Sequence, residues 1–217
     1  MIKNILSHLF IILILTIGCQ KYNNKSAYNS QDSVKLVQEI LNYRAEQDSF
    51  FRYSNDSPFN KDTSIRYNGL KYFEPDLKFY FKSKLYKYAY PETVVVLGTK
   101  GDERKQLKYG YFKLYYQGKE YKINVYKFTA YDSIRYKLYE DNLSFWFRDK
   151  TTGKETYEVG RYVEIGNENP DPEYLYTIDL NKAFNPYCAY SPMYSCAIPR
   201  EEDYLDFEVR AGEKKYH

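Results

Sequence analysis

Histidine is almost absent from this sequence of 217 residues, which contains His8 and His217 and no histidine between them. A serine triad and a histidine-activated cysteine both need an imidazole base beside the nucleophile. A zinc site built on a pair of cysteines would need two further ligands, and no internal histidine can supply them. We therefore expect neither of these nucleophilic mechanisms, no bound metal and no cofactor.

The sequence also lacks a hydrophobic run long enough for a transmembrane helix, which needs about 20 apolar residues. Residues 9–17 (LFIILILTI) are apolar apart from one threonine, and Lys3 precedes them. Small Gly18 and then Cys19 follow this short run, which is the layout of a cleavable export signal. We therefore predict a signal peptide over residues 1–18 and a domain outside the cytoplasm.

Residues 15–19 (LTIGC) resemble a bacterial lipobox, and this resemblance implies a diacylglycerol on the Cys19 thiol and cleavage before that residue. Leu15 lies four residues before the cysteine, one more than in the common pattern. An ordinary signal peptide or an uncleaved anchor is the alternative. A lipidated chain would have the membrane as its partner and would belong to the cell envelope.

Neither sign of charge is in large excess, because the formal net charge is +3 and falls to +2 once Lys3 is removed with the signal peptide. This balance offers no electrostatic surface for nucleic acid or for anionic lipid headgroups.

Residues 19–32 are rich in Asn, Ser and Lys and are predicted to form a flexible tether. Residues 33–217 are enough for one domain with a single core.

A change of hydrophobic period divides this domain. Ser33 can cap an amphipathic helix that ends near Ser57 and Pro58, and beyond residue 65 the period is two. The apolar positions of the helix are Val34, Val37, Ile40, Leu41 and Phe51. The predicted strands are a hairpin around residues 117–119 and the runs 78–82, 93–97, 144–148, 155–165, 175–180 and 205–210. This pattern predicts a mainly β fold, an antiparallel sandwich or barrel with one N-terminal amphipathic helix.

Two cysteines remain once Cys19 is assigned to the lipid. Cys188 and Cys196 lie in an irregular stretch over residues 185–199 that is dense in Tyr, Asn, Ser and Pro. An even pair of cysteines outside the cytoplasm is typical of a disulfide, so we expect a bond between these two residues. A redox-active pair is the alternative, although the spacing is wider than that of a C-x-x-C motif.

Alternation along residues 155–165 places Arg161 on the apolar face of the predicted strand. A buried guanidinium needs an acidic partner. The candidates are Asp149, Asp179, Glu202 and Glu213. Two interpretations remain open: Arg161 either forms an internal ion pair that ties strands together, or lies at the floor of a cleft that receives an anionic ligand.

The leading hypothesis is a non-catalytic envelope lipoprotein that binds a small ligand or an envelope partner through the Tyr-rich loop, residues 185–196, and the strand carrying Arg161. The candidate binding residues are Arg161, Tyr157, Asn185, Tyr187, Tyr190 and Tyr194. One alternative is a carboxylate-dependent hydrolase of a saccharide or envelope polymer. Its candidate catalytic residues are Asp149, Glu155 and Asp179. Another alternative is a carrier that holds a small apolar ligand inside the sheet.

Several unusual strings carry a family resemblance. They are Gly69–Asp76 (GLKYFEPD), Gly153–Tyr157 (GKETY), Gly160–Tyr162 (GRY), Asn185–Pro192 (NPYCAYSP), Tyr194–Cys196 (YSC) and Ala211–Lys214 (AGEK). With these strings the chain resembles an uncharacterised bacterial family, the domain of unknown function 1684. The likeness begins in the first helix, with Arg44, Asp48, Phe50 and Phe51, and is most specific in the last third. Residues 197–200 (AIPR) depart from it, since the family is richer in proline there. The resemblance implies a shared fold and site region and names no reaction.

Overall fold

The structure, a computed structural model, describes residues 30–217. The predicted signal peptide and Cys19 lie outside the described residues. Within the described range, no helix is long and apolar enough to cross a membrane.

Three α-helices lie in the described part of the chain. They are α1 (Ser30–Tyr53), α2 (Pro58–Lys61) and α3 (Ser133–Leu138). Helix α1 begins three residues before the predicted cap Ser33, so residues 30–32 of the predicted tether are helical. Helix α2 begins where the break was predicted, because the Ser57 side chain accepts a hydrogen bond from the Phe59 N–H.

The buried face of α1 is narrower than its sequence predicts. Ile40 and Phe51 are buried as expected, and Arg44 is buried between them. Val34 is 71% exposed and Leu41 is 43% exposed, because the helix contacts the domain along one stripe only. The prediction of a packed position was therefore wrong for these two apolar residues.

Two sheets, antiparallel apart from one short strand, enclose the core of the domain. The strands are β1 (Tyr80–Ser83), β2 (Tyr86–Leu97), β3 (Glu103–Tyr116), β4 (Lys119–Phe128), β5 (Asn142–Asp149), β6 (Arg161–Asn167), β7 (Tyr176–Asp179) and β8 (Tyr204–Leu205). The large sheet has the order β2-β3-β4-β5-β6, with β8 parallel to β5, and the small sheet pairs β1 with β7. In the described chain β2 and β6 do not pair with each other, so the fold is sandwich-like and not a closed barrel.

The predicted hairpin is confirmed. Strands β3 and β4 pair in antiparallel register, with Phe112 opposite Ile123. Gln117 and Gly118 both have positive φ angles, of 49° and 78°, which matches the twist that a two-residue hairpin turn requires.

The core fills the space between the two sheets. Its buried side chains include Phe81, Phe112, Phe145, Phe147, Val163, Ile178 and Leu180.

Two predicted strands were wrong in part. Residues 155–160 form a compact loop, because the Thr151 carbonyl accepts N–H groups from Lys154, Glu155 and Thr156 and the ladder begins only at Arg161. Of residues 205–210, only Leu205 lies in a strand. The residues after it alternate between buried and exposed and form no further strand. The Phe207 carbonyl accepts the Lys150 N–H, and the Val209 carbonyl accepts from the Arg161 side chain.

Candidate functional site

Arg161 is the innermost residue of the candidate region and is fully buried at the start of β6. Its Nη2 atom lies 2.9 Å from a carboxylate oxygen of Asp149 and 2.8 Å from the Val209 carbonyl. Its Nη1 atom donates to the carbonyls of Ala211 and Glu213. Burial lowers the pKa of this guanidinium, and the Asp149 charge opposes that effect. Of the two roles that the sequence allows, these are the contacts of an internal ion pair.

The three carbonyls that Arg161 binds belong to alternate residues of one segment, residues 209–217. One planar guanidinium with several donors can bind all three together. The Val209 N–H also lies 3.2 Å from an oxygen of Asp149. The ion pair therefore fixes the path of segment 209–217 without a complete strand ladder.

Glu213 is the next polar residue of this segment, and 1% of it is exposed. Its carboxylate accepts hydrogen bonds from the Tyr190 hydroxyl at 2.5 Å and from the Asn185 N–H at 2.9 Å. The Tyr72 hydroxyl lies 3.4 Å from the other oxygen. Burial raises the pKa of Glu213 to about 7, and the hydrogen bond from Tyr190 partly opposes this. Glu213 thus joins the Tyr-rich loop to segment 209–217.

A cleft of about 390 Å³ opens above this buried network. Three stretches form its walls: the loop before β6, the Tyr-rich loop and the last residues of segment 209–217. The lining residues are Tyr157, Glu158, Cys188, Ala189, Tyr190, Ser191, Pro192, Lys215, Tyr216 and His217.

The tyrosine hydroxyls of this cleft bond to the protein itself. Tyr157 donates to the Cys188 carbonyl at 3.3 Å, and Tyr190 donates to Glu213. Tyr216 donates to the Arg66 carbonyl at 3.0 Å, and its ring lies edge-on to the Tyr190 ring at 5.2 Å between centroids. Because the hydroxyls are held in this way, Tyr157 and Tyr216 contribute aromatic surface to the cleft wall, and the Tyr190 ring, 3% exposed, supports them from the core side.

Cys188 and Cys196 are neighbours and are both free thiols, so the expected disulfide is not formed in the structure. The Cys188 N–H donates to the Cys196 sulfur at 3.2 Å. A hydrogen bond with the Cys196 thiol lowers the pKa of the Cys188 thiol, and the hydroxyls of Tyr157 and Thr99 add to this effect against the cost of burial. The same contact raises the pKa of Cys196.

Three further predicted binding residues lie behind the cleft. Asn185 is buried, and its side-chain amide donates to the Lys214 carbonyl at 2.8 Å. The Tyr187 ring lies edge-on to Phe51 and to Tyr194, at centroid distances of 6.0 and 5.2 Å. These residues shape the Tyr-rich loop, and only Tyr157 and Tyr190 of the predicted set line the cleft.

The three candidate catalytic carboxylates have separate partners. Asp149 is held by Arg161, and exposed Glu155 pairs with Arg210 at 3.0 Å. Asp179 is buried and caps a turn through the Asn181 N–H at 3.0 Å. None of the three is among the residues that line the cleft. A hydrolase centred on these carboxylates gains no support from this geometry.

Glu158 and residues 215–217 line the cleft and were not among the predicted site residues. The position of residues 215–217 depends on the path of segment 209–217, which is set by the bonds of its backbone carbonyls to Arg161. Backbone acceptors leave no pattern in a sequence, so nothing in the sequence indicated that these residues reach the cleft. Glu158 had a partial signal, since it directly follows Tyr157, the last residue of a string that carries the family resemblance.

Comparisons with known proteins agree with the fold and give no activity. The family described as "Protein of unknown function (DUF1684)" matches residues 65–214. An uncharacterised protein of Haloarcula marismortui, solved by solution NMR, is 30% identical in sequence with a TM-score of 0.61. That match covers 86% of this chain and 97% of the other. The curated proteins give no match.

Proposed function

The chain belongs to the family described as "Protein of unknown function (DUF1684)", and from this premise we propose that it is a lipid-anchored envelope protein that binds a small ligand in the aromatic cleft. The ligand class that fits the cleft best is a ring with apolar faces and a polar edge, such as a saccharide. The observation that carries this proposal is the set of three tyrosines whose hydroxyls are held by the protein while their rings line the cleft.

The cleft combines the two properties that small-ligand sites share. Aromatic surface from Tyr157 and Tyr216, backed by the buried Tyr190 ring, provides apolar contact with little loss of side-chain entropy, since each ring is already fixed by its hydroxyl. Glu158 and Lys215 supply one acceptor and one cation on the same lining. A ligand with hydroxyl groups at its edge can bond to both while its ring packs on the tyrosines.

A second depression, of about 580 Å³, is a weaker candidate. Its charged side chains already bind each other, because Glu168 accepts from Lys127 at 2.5 Å and from the Tyr109 hydroxyl at 2.7 Å. These bonds lower the pKa of Glu168 to about 2 against the effect of burial, so the carboxylate is ionised and occupied. A ligand there would have to displace an existing ion pair.

The ligand proposal is tested by titrating the full chain, labelled with ¹⁵N, with N-acetylglucosamine and separately with indole. We expect N-acetylglucosamine to shift the amide signals of residues 157–158, 188–192 and 215–217 together. Indole has flat faces without hydroxyl groups and should cause smaller shifts at the same amides. The Tyr157→Leu variant should weaken the response by about tenfold, because it removes one aromatic wall.

The matched control is Tyr90→Leu, which changes a tyrosine that is 92% exposed on β2 and far from the lining residues in sequence. This variant should bind as the unchanged protein does. If neither probe shifts the cleft amides, or if both variants lose the response equally, the cleft is not the binding site.

The lipid anchor is a part of this proposal with a test of its own. The support for it is the sequence layout around Cys19. Protein purified from its native membrane should have the intact mass of a chain that begins at diacylated Cys19. A Cys19→Ser variant should be released from the membrane fraction. An unprocessed chain in the membrane would contradict the anchor.

A further inference from the structure

Two thiols of different exposure meet at the cleft. Cys188 is half-buried and lies on the lining, whereas Cys196 is 8% exposed and lies behind it. A reagent in the cleft can therefore reach the first sulfur before the second. The N–H of Cys188 donates to the Cys196 sulfur at 3.2 Å, so the second sulfur stays beside the first residue.

The loop that carries the thiols is braced from both sides. Thr99 binds the backbone of Cys196 twice, since its N–H donates to the Cys196 carbonyl at 2.9 Å and its hydroxyl accepts the Cys196 N–H at 3.1 Å. On the other side, the Ser191 hydroxyl donates to Asp62 at 2.6 Å. The approach of the two sulfurs is thus fixed by the fold and does not depend on a bond between them.

We infer that Cys188 and Cys196 form a thiol–disulfide exchange site, in which Cys188 attacks a disulfide that enters the cleft and Cys196 resolves the mixed disulfide. The inference is independent of the saccharide proposal, because it concerns the sulfur chemistry of the lining and not its aromatic surface. The substrate class is an accessible disulfide, either a small one such as glutathione disulfide or an exposed one on a protein.

The reaction balances over two displacements. The Cys188 thiolate attacks one sulfur of RS–SR, so that a Cys188–SR bond forms, the S–S bond of the substrate breaks and RS⁻ leaves. Cys196 then loses its proton to RS⁻, attacks the Cys188 sulfur and expels the second RS⁻, which takes up the proton lost from Cys188. Two protein thiols are oxidised by two electrons, and one substrate disulfide is reduced to two thiols.

The surroundings of Cys188 favour its thiolate. The Tyr157 hydroxyl lies 3.7 Å from the Cys188 sulfur and can donate to it, and Thr99 provides a further donor. Donors lower the pKa of a thiol and so raise its thiolate fraction at neutral pH. The Cys196 thiol keeps its proton under the same conditions, which suits a thiol that reacts second.

The first experiment traps the intermediate in the full chain. The Cys196→Ser variant keeps a hydrogen-bond donor beside Cys188 and removes the resolving sulfur. With glutathione disulfide it should accumulate a glutathionyl group on Cys188, located by mass mapping of the peptides so that Cys19 does not interfere. The matched Cys188→Ser variant should react at Cys196 at least about tenfold more slowly, because that sulfur is buried. Equal rates in the two variants would overturn the assignment of roles.

The second experiment uses the unchanged protein and so does not depend on the folding of a variant. Equilibration with mixtures of glutathione and glutathione disulfide, followed by alkylation and intact mass, should show a reversible conversion between two thiols and one internal disulfide. A bond that forms and resists every glutathione mixture would be a structural disulfide and would contradict exchange. Two thiols that stay reduced throughout would contradict it as well.

Tyr157→Phe tests the role of the hydroxyl as a positioning group. Removing the donor should move the pH midpoint of Cys188 alkylation upward while the protein remains folded. The two proposals can fail separately, because thiol exchange is read from the mass of the cysteine peptides and saccharide binding from the amide signals of the cleft. An unchanged pH profile would show that Tyr157 does not stabilise the thiolate.

Discussion

Three of the four oxygen atoms that accept hydrogen bonds from the buried Arg161 guanidinium belong to the backbone. One carboxylate, that of Asp149, neutralises it, and three backbone carbonyls take its other bonds. A lysine would present a single nitrogen and could not span acceptors on alternate residues. The side chain is therefore used for its shape as well as for its charge.

Replacing Arg161 with methionine should destabilise the protein severely. The change leaves Asp149 as an uncompensated buried charge and removes the donors of three carbonyls, so we expect a loss of about 3–5 kcal/mol. Urea denaturation followed by circular dichroism measures it. The control is Arg210→Met, which breaks the exposed pair with Glu155 and should change stability little. Similar losses in the two variants would show that the buried pair contributes no more than a surface pair.

At this scale the sequence predicted part of the arrangement. Alternation placed Arg161 on the buried face, and Asp149 was one of four possible partners. The sequence could not single out Asp149, because it does not show which carboxylate the fold brings near. The sequence also predicted a disulfide between Cys188 and Cys196, whereas the structure has two free thiols. Their different exposures follow only from the three-dimensional loop.

Among the elements, the β3–β4 hairpin was predicted well because its signals are local. Its alternation continues across a turn whose residues accept positive φ angles. The predicted strand over 155–165 had similar alternation and failed in its first half. There the Thr151 carbonyl competes for the N–H groups, and the hydroxyls of Thr151 and Thr156 lie 3.0 Å apart. Alternation alone does not reveal such a competitor.

Segment 209–217 depends on a glycine at one crowded position. Gly212 has a φ of +72°, and a Cβ atom there would lie 2.5 Å from the Ala183 carbonyl oxygen. We expect Gly212→Ala to lower stability by about 2–4 kcal/mol, as the sum of backbone strain and overlap. Gly118→Ala is the control, since φ is +78° and no atom lies within 4 Å, so only about 1 kcal/mol should be lost. The comparison is made by urea denaturation, and equal losses would mean that segment 209–217 can move aside.

At the scale of the whole molecule, acids with a raised pKa and acids with a lowered pKa make the free energy of unfolding depend on pH in opposite directions. Burial raises the pKa of Glu213 to about 7 and that of Asp203 to about 6. These carboxyl groups bind protons more tightly in the folded protein than in the unfolded chain. The stability that they contribute is therefore present below their ordinary pKa and is lost as pH rises through their pKa in the folded protein. Glu168 has a lowered pKa, so its contribution is lost only as pH falls toward 2.

We therefore expect maximum stability near pH 5 and a decrease on the order of 2 kcal/mol by about pH 7.5. Urea midpoints measured across this range test the expectation. Glu213→Gln keeps an oxygen that can accept from Tyr190 and removes the titration, so its midpoint should vary less with pH. Glu155→Gln, at an exposed position, should keep the original dependence. Stability that rises between pH 5 and pH 7.5 would contradict the argument.

Segment 209–217 also determines when the cleft can appear during folding. Its bonds reach far back along the chain, from Glu213 to Tyr72 across 141 residues and from Tyr216 to Arg66 across 150. Long-range contacts form slowly, since much chain entropy is lost before they are made, whereas the β3–β4 hairpin closes early. During refolding, the hairpin amides should gain protection from hydrogen exchange first. The cleft, together with the half-buried Cys188 thiol on its lining, should be the last part of the molecule to assemble.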